Sequence, residues 1–317
     1  MTPQEYRRFC APVVPLARLP SRVFVSSDTL TAQIDVSQFG PEDLDDARVA
    51  WSLLDDDRKP VKRGTLKAVK LSAGDLHMVG DIKLTLADLP VPAKYTLELA
   101  VENTAAVNDW DVWVYPDAVE ADSEQVRIVQ RLDDETVAYL REGGKVLLAL
   151  HPSLVKTDVK LGFSSVFWNT AWTGGQPPHT LGILCDPQHR ALAEFPTEYH
   201  SNWQWSEPIQ NSATMELDRL PAELQPIVQI VPDWFSPKKL ALLFEARLGK
   251  GALVVCSVDV VSDIDRHPVR RQLRHSLMAY MTSDAFQPKV EVAVEQVRSL
   301  IRPPSRLEQL AAKIVAE

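Results

Sequence analysis

The chain has 317 residues, 45% of them hydrophobic and 24% charged, with a net charge of −9 at pH 7. This length suits two domains with separate cores, and the acidic balance argues against a nucleic-acid partner, whose binders are normally basic. No run approaches the roughly 20 apolar residues of a membrane span. The opening "MTPQEYRRFCAPVV" is too polar for a secretory leader. The expectation is a cytoplasmic protein, or one exported only as part of a longer chain. Cys10, Cys185 and Cys256 are too few and too scattered for a disulfide framework or a zinc site.

Residues 1–20, with prolines at 12, 15 and 20, read as a linker that docks on something. From residue 21 to 117 apolar residues alternate with period two. "RVFVSSDTLTAQIDVSQF", "ARVAWSLLDD", "PVKRGTLKAV", "YTLELAVEN" and "DWDVWVYP" are short strands broken by turn residues, the pattern of an antiparallel β-sandwich. "DDDRK" is the tight turn between two of them. "DWDVWVYP" closes the sandwich as an edge strand, ended by Pro116.

The rhythm changes over residues 118–290. "VRIVQRL" reads as a strand, "DDETVAYLREGG" as a helix with an Asp cap and a Gly-Gly stop, and "KVLLAL" as a strand apolar on both faces. Such a strand needs cover on both sides, which implies βαβ and a parallel sheet. "TLGILCD" and "IVQIVPDW" are further strands. "LALLFEARLGKGALVVCSVDV" is a hairpin turning at Gly249-Lys250-Gly251. In "HPVRRQLRHSLMAYMTS", Val269, Leu273, Leu277 and Tyr280 share one face of a helix. Residues 291–317 form a tail with a terminal helix over "RLEQLAAKIVAE".

One stretch stands apart. Residues 165–205, "SVFWNTAWTGGQPPHTLGILCDPQHRALAEFPTEYHSNWQW", hold four of the chain's eight tryptophans and three of its seven histidines. Sugars pack axial C–H groups on aromatic faces and give their hydroxyls to amides and carboxylates. Trp168, Asn169, Trp172, Gln176, His200, Asn202, Trp203 and Trp205 offer both kinds of group. Alternation in "NWQW" puts Trp203 and Trp205 on one face of an extended segment. That face serves equally as a sugar platform or as packing against a sheet. Asp186, Glu194, Glu198 and Glu207 flank the aromatics as candidate catalytic carboxylates, although their spacing singles out no pair. A glycosidase needs two carboxyl groups, about 5–5.5 Å apart for retention and wider for inversion.

Other chemistry finds less support. Cys185 in "LGILCDP" and Cys256 in "ALVVCSVDV" lack the glycine turn of a catalytic thiol and read as core residues. No G-x-S-x-G elbow occurs. "REGGKVLLAL" has its glycines before a strand, the wrong order for a phosphate loop. "DVVSDIDRHP" follows a strand, so Asp259, Asp263 and Asp265 sit where open α/β sheets place ligands. A helix cap and a solvated loop explain them as well. The chain is expected to fold without cofactor or metal.

"YRRFCAPVVPLARLPSRVFVSSDTLTAQIDVSQFGPEDL", "NDWDVWVYP", "GILCDPQHRALAEFPTEYHSNWQW" and "LLFEARLGKGALVVCSVDV" together resemble the region after the catalytic barrel in bacterial family 2 glycoside hydrolases of the β-galactosidase type. The resemblance implies an Ig-like β-sandwich followed by a flavodoxin-like or glutamine-amidotransferase-like α/β domain. It also implies carbohydrate as ligand, a glycosidase catalytic domain as partner, and assembly as a homo-oligomer. The family's barrel needs about 250 residues of alternating elements, and none of this chain can supply it. The family's catalytic residues therefore transfer to no position here. The expected role is accessory: sugar recognition, or support of a catalytic partner. Two alternatives are a self-sufficient hydrolase with its site in 165–207, and a structural oligomerisation module.

Overall fold

In the segment Thr29–Gln38 every second side chain from Leu30 to Val36 is buried. Burying Leu30, Ile34 and Val36 is worth about 1.5–3 kcal/mol each, so this alternation fixes which face of the strand turns inward. The computed structural model describes residues 1–164, 177–235 and 237–303. It divides into two units, Met1–Val119 and Glu120–Glu317.

The first unit begins with a short helix, α1 (Pro3–Arg7), and contains ten strands: β1 (Val13–Arg18), β2 (Val23–Val25), β3 (Thr29–Gln38), β4 (Leu44–Ala47), β5 (Val49–Leu54), β6 (Pro60–Thr65), β7 (Val69–Leu71), β8 (Asp75–Thr85), β9 (Ala93–Val101) and β10 (Val107–Tyr115). They form a sandwich with sheets ordered β1-β3-β8 and β2-β10-β9-β5-β6, plus a small β4-β7 pair. Leu30, Ile34 and Val36 from one sheet share a core with Leu97, Leu99 and Val112 from the other. The "DDDRK" turn closes with Asp55 N–H donating to Lys59 O at 3.0 Å, and Arg58 takes a left-handed φ of 61°.

Three details differ from the sequence expectation. β1 lies within the supposed linker and pairs antiparallel with β3 along its whole length. β8 was not expected at all, yet it pairs with β3. Its Leu76 and Met78 are exposed, which breaks the alternation where a register shift interrupts the ladder. β10 is not an edge, because the three-residue β2 pairs with it in parallel. A run that short leaves little sequence signal.

The second unit follows the expected β11 (Val126–Val129), α2 (Asp134–Arg141) and β12 (Lys145–Ala149). Asp133 caps α2 by accepting the Thr136 N–H at 2.8 Å, and Gly143, at φ 108°, ends it. Then come β13 (Thr180–Cys185), α3 (Ser206–Gln210), β14 (Met215–Glu216), β15 (Pro226–Pro232), β16 (Leu240–Leu248), β17 (Gly251–Cys256), α4 (Pro268–Thr282) and α5 (Val294–Arg298). The sheet order is β11-β12-β17-β16-β15-β13, with β14 beside β16.

Only the first three strands of that order are mutually parallel. The β16–β17 hairpin reverses direction, and β15 and β13 continue antiparallel. The expected parallel sheet is therefore a mixed one. The run "KVLLAL" correctly signalled a strand covered on both faces, but "IVQIVPDW" and "LALLFEARL" are equally apolar and cannot announce their direction. Below the sheet, Val137 and Leu140 of α2 and Val294 and Val297 of α5 join Val146, Leu148, Leu253 and Val255 in one core. The terminal helix expected over 306–317 lies outside the described residues. Among the described residues no helix is long and apolar enough to cross a membrane.

Candidate functional site

Strand β13 lies at the end of the sheet, and the segment Glu198–Trp205 folds along its outer side. Cys185 N–H donates to Tyr199 O at 3.0 Å, and an isolated bridge joins Leu184 to His200. Gly182, with φ 125°, admits the Ser201 hydroxyl against the strand, where it accepts the Ile183 N–H at 2.9 Å. These contacts fix the backbone that presents the aromatic residues.

"NWQW" is not extended. Trp203–Trp205 is a 3₁₀ turn that runs directly into α3, and that turn separates two tryptophans which an extended segment would have aligned. Trp205 is fully buried, edge-on to Phe195 at 5.2 Å between centroids, with its Nε1–H donating to Thr197 Oγ1 at 2.9 Å. Trp203 is 54% exposed and leans on Phe163, also at 5.2 Å. Gln204 is buried and donates to Pro196 O.

Next to this exposed indole lies a carboxylate–amide pair. Asn202 Nδ2 donates to Glu198 Oε2 at 2.7 Å. Asn202 is only 8% exposed, and its Oδ1 has no hydrogen-bond partner among the described residues. A buried amide oxygen left unpaired costs about 1–3 kcal/mol, a cost that the bond from Nδ2 to Glu198 partly offsets. Tyr199 and His200 are exposed and tilted together at 4.7 Å. Trp168, Asn169, Trp172 and Gln176 lie outside the described residues.

The four candidate carboxylates have separate surroundings. Asp186 is exposed and accepts the Gln188 N–H in its own loop. Glu194 is exposed, while its backbone N–H and C=O are held by Ser276 and Gln272 of α4. Glu198 binds Asn202. Glu207 Oε1 accepts from Arg270 Nε at 2.9 Å and lies 2.5 Å from His267 Nδ1. Arg270 is 3% exposed and also donates to Asp259 O at 2.6 Å. Burial pushes the Asp259 carboxyl up, but N–H groups of Ser262 and Val261 and the Arg270 charge outweigh that and hold it below its usual range. Asp259 thus belongs to a network that ties β17 to α3 and α4. Asp263 sits in a left-handed turn at φ 47°, and the Asp265 backbone C=O receives Arg271.

Both inner cysteines are covered by the fold, with Cys185 Sγ donating to Glu198 O and Cys256 buried. Burial pushes the Cys185 thiol up to about 11 and the Cys256 thiol to about 12, far from the thiolate form.

The structure brings two other carboxylates together where the sequence gave no sign. Lys238 Nζ donates to Asp158 Oδ1 at 2.7 Å and to Glu216 Oε2 at 2.9 Å, beside a cavity of about 340 Å³. Asp158 and Glu216 are remote in sequence, and it is the pairing of β14 with β16 that places Glu216 near Lys238. Lys238 holds Asp158 below the usual carboxylate range. The geometry is that of a clamp in which Lys238 ties the segment at Asp158 to β14.

A family model described as a domain of unknown function, DUF8487, matches residues 127–302, more than half of the chain. The chain belongs to this family. A second model, DUF8488, also described as a domain of unknown function, matches residues 28–116. The DUF8488 segment falls within the first unit, and the DUF8487 segment, which carries the aromatic site, within the second. A search of curated proteins finds no match. Similar solved structures include the DNA-bound alkylpurine DNA glycosylase AlkC of Pseudomonas fluorescens, at 13% identity and TM-score 0.28, covering 33% of this chain and 31% of that one. The β-glucuronidase of Parabacteroides merdae is similar at 20% identity and TM-score 0.24, over 43% of this chain and 21% of that one. The β-glucosidase EmGH1 of Erythrobacter marinus is similar at 14% identity and TM-score 0.26, over 32% and 15%. The link to glycosidases is distant, and superpositions this loose decide neither fold nor activity.

Proposed function

We propose that the chain is a carbohydrate-recognition module, accessory to a glycosidase, with its sugar-facing surface at Glu198–Trp203. The observation that carries this reading is the exposed Trp203 ring, which follows directly in the chain on Asn202, the residue that binds the partly exposed Glu198 carboxylate. A pyranose laid on the indole would offer hydroxyl donors to the partly exposed Glu198, whose carboxylate Asn202 holds in place. His200 and Tyr199 would line one side, and Trp168, Asn169 and Trp172 belong to the proposed surface by sequence. Trp205 anchors it from below.

The same reading takes the first unit as Ig-like and the second as a flavodoxin-like or glutamine-amidotransferase-like domain, extended by the antiparallel strands β16, β15 and β13. It implies a catalytic domain as partner, a homo-oligomer as the assembly, and the cytoplasm as the location unless a longer protein carries the chain elsewhere.

The rival reading is a hydrolase using Asp186, Glu194, Glu198 or Glu207. It draws least support from Glu207, which is engaged by Arg270 and His267. Incubating the purified chain with aryl β-galactosides and aryl β-glucosides separates the two. The accessory reading expects no turnover. Turnover abolished by Glu198→Gln, with the fold intact, would establish the hydrolase instead.

A further inference from the structure

Strand β8 forms one edge of the β1-β3-β8 sheet, and its outer side has no backbone partner among the described residues. The two edges of this sheet differ. β1 carries Pro15 in its middle, a residue that cannot donate to a ladder. β8 runs for 11 residues without a proline. Such an edge presents a free row of N–H and C=O groups to any strand that can align with it.

The side chains of β8 show which strand fits. Past the register shift its ladder with β3 runs in step from Ile34↔Gly80 to Thr29↔Thr85. Ile82 and Leu84 are buried in the core, while Asp81 and Lys83 stay exposed on the opposite face. Their cross-strand neighbours on β3 are Gln33 and Thr31, both neutral. Neither Asp81 nor Lys83 has an ion-pair partner among the described residues. Opposite charges two residues apart on a free edge are complementary to themselves. A second β8 laid antiparallel, with Ile82 facing Ile82, sets Asp81 opposite Lys83 twice. The same register puts Gly80 opposite Leu84, a residue without a side chain against a large one. Just outside this run, the exposed Leu76 and Met78 lie at each end of the seam, where apolar side chains gain from cover.

We propose that β8 is the seam of a homodimer, in which two copies join edge to edge across a two-fold axis at Ile82 and continue one sheet into the other. Backbone hydrogen bonds hold the two strands together, and the Asp81–Lys83 pairs fix direction and register. A parallel, in-register pairing would instead set Asp81 against Asp81 and Lys83 against Lys83. The seam gives an interface to the homo-oligomer of the proposed function and rests on that part of the reading alone. Sugar recognition at Trp203 neither requires it nor follows from it.

Sedimentation equilibrium of the full chain over a range of concentrations tests the seam, with a monomer–dimer equilibrium expected. Asp81→Lys and Lys83→Asp should each weaken the dimer about tenfold or more, because like charges then face each other twice. Mixing the two variants should restore dimers to the parent's level, since every pair across the seam is again opposite in charge. Both positions are exposed, and circular dichroism of each variant separates a lost interface from a lost fold. A chain that stays monomeric up to about 100 μM overturns the seam and the homo-oligomer together. A dimer that both single variants leave intact, or that mixing them fails to restore, overturns the seam alone.

Discussion

Replacing Arg270 by alanine should destabilise the second unit by about 3 kcal/mol. Removing one member of a buried ion pair costs about 3–5 kcal/mol because the other is left buried and uncompensated. Here the partners differ. Glu207 is one-third exposed and keeps His267 at 2.5 Å, so its loss is small. Asp259 is about one-tenth exposed and keeps the N–H groups of Val261 and Ser262, but its backbone carbonyl loses the 2.6 Å bond from Arg270. These residual partners set the figure at the lower end of the range. The pH response has a defined sign. A depressed carboxyl contributes stability that is complete above its unfolded pKa, about 3.9, and is lost as pH falls through the folded value. Without Arg270 the Asp259 carboxyl rises towards its unfolded value, so the variant should lose less stability than the parent on acidification and the gap between the two should narrow as the pH falls. Urea denaturation followed by circular dichroism, repeated from neutral pH down to pH 3 or so, measures both effects. A loss under about 1 kcal/mol with an unchanged acid profile would refute the argument that this network supports the β17–α3–α4 junction.

Other outcomes follow from single contacts. Trp205→Ala should cost about 3–5 kcal/mol by denaturant melting, because a fully buried indole and its bond to Thr197 are lost. Trp203→Ala, at an exposed ring, should cost under about 1 kcal/mol in the same experiment. Gly251→Ala should destabilise the β16–β17 hairpin strongly, because a Cβ there would meet the backbone carbonyls of Leu140 and Gly144, 2.5 Å from the latter. Backbone cannot move aside as a side chain can, so a melting temperature equal to the parent's would contradict this. Asp133→Ala should cost about 1 kcal/mol by uncapping α2, and that difference should vanish at pH values below the usual range of an aspartate.

Much of the fold could be read because burial imposes periods. The Asp133 cap, the Gly-Gly stop, the hairpin at Gly249 and the helix bearing Leu273 and Leu277 all sit where their local chemistry puts them. Strand direction could not be read, since β15 and β16 are as apolar as a parallel strand and their pairing is a tertiary choice. β1 hid behind prolines that an edge strand tolerates. At the candidate site, the sequence identified the aromatic stretch but misjudged its shape. The 3₁₀ turn over "WQW" rests on backbone bonds from Trp205 N–H to Asn202 O and from Ser206 N–H to Trp203 O, which residue alternation does not reveal. The Lys238 clamp was invisible because its members come from distant segments that β14–β16 pairing brings together.

The account turns on Trp203, and titration of the purified chain with β-galactosides and β-glucosides, followed by indole fluorescence, tests it most directly. The prediction is a saturable shift that Trp203→Ala abolishes and Asn202→Ala weakens, while the circular dichroism spectrum and melting temperature of Trp203→Ala stay at the parent's values. Sugars that produce no shift, or a shift that survives Trp203→Ala unchanged, would contradict carbohydrate recognition at this surface.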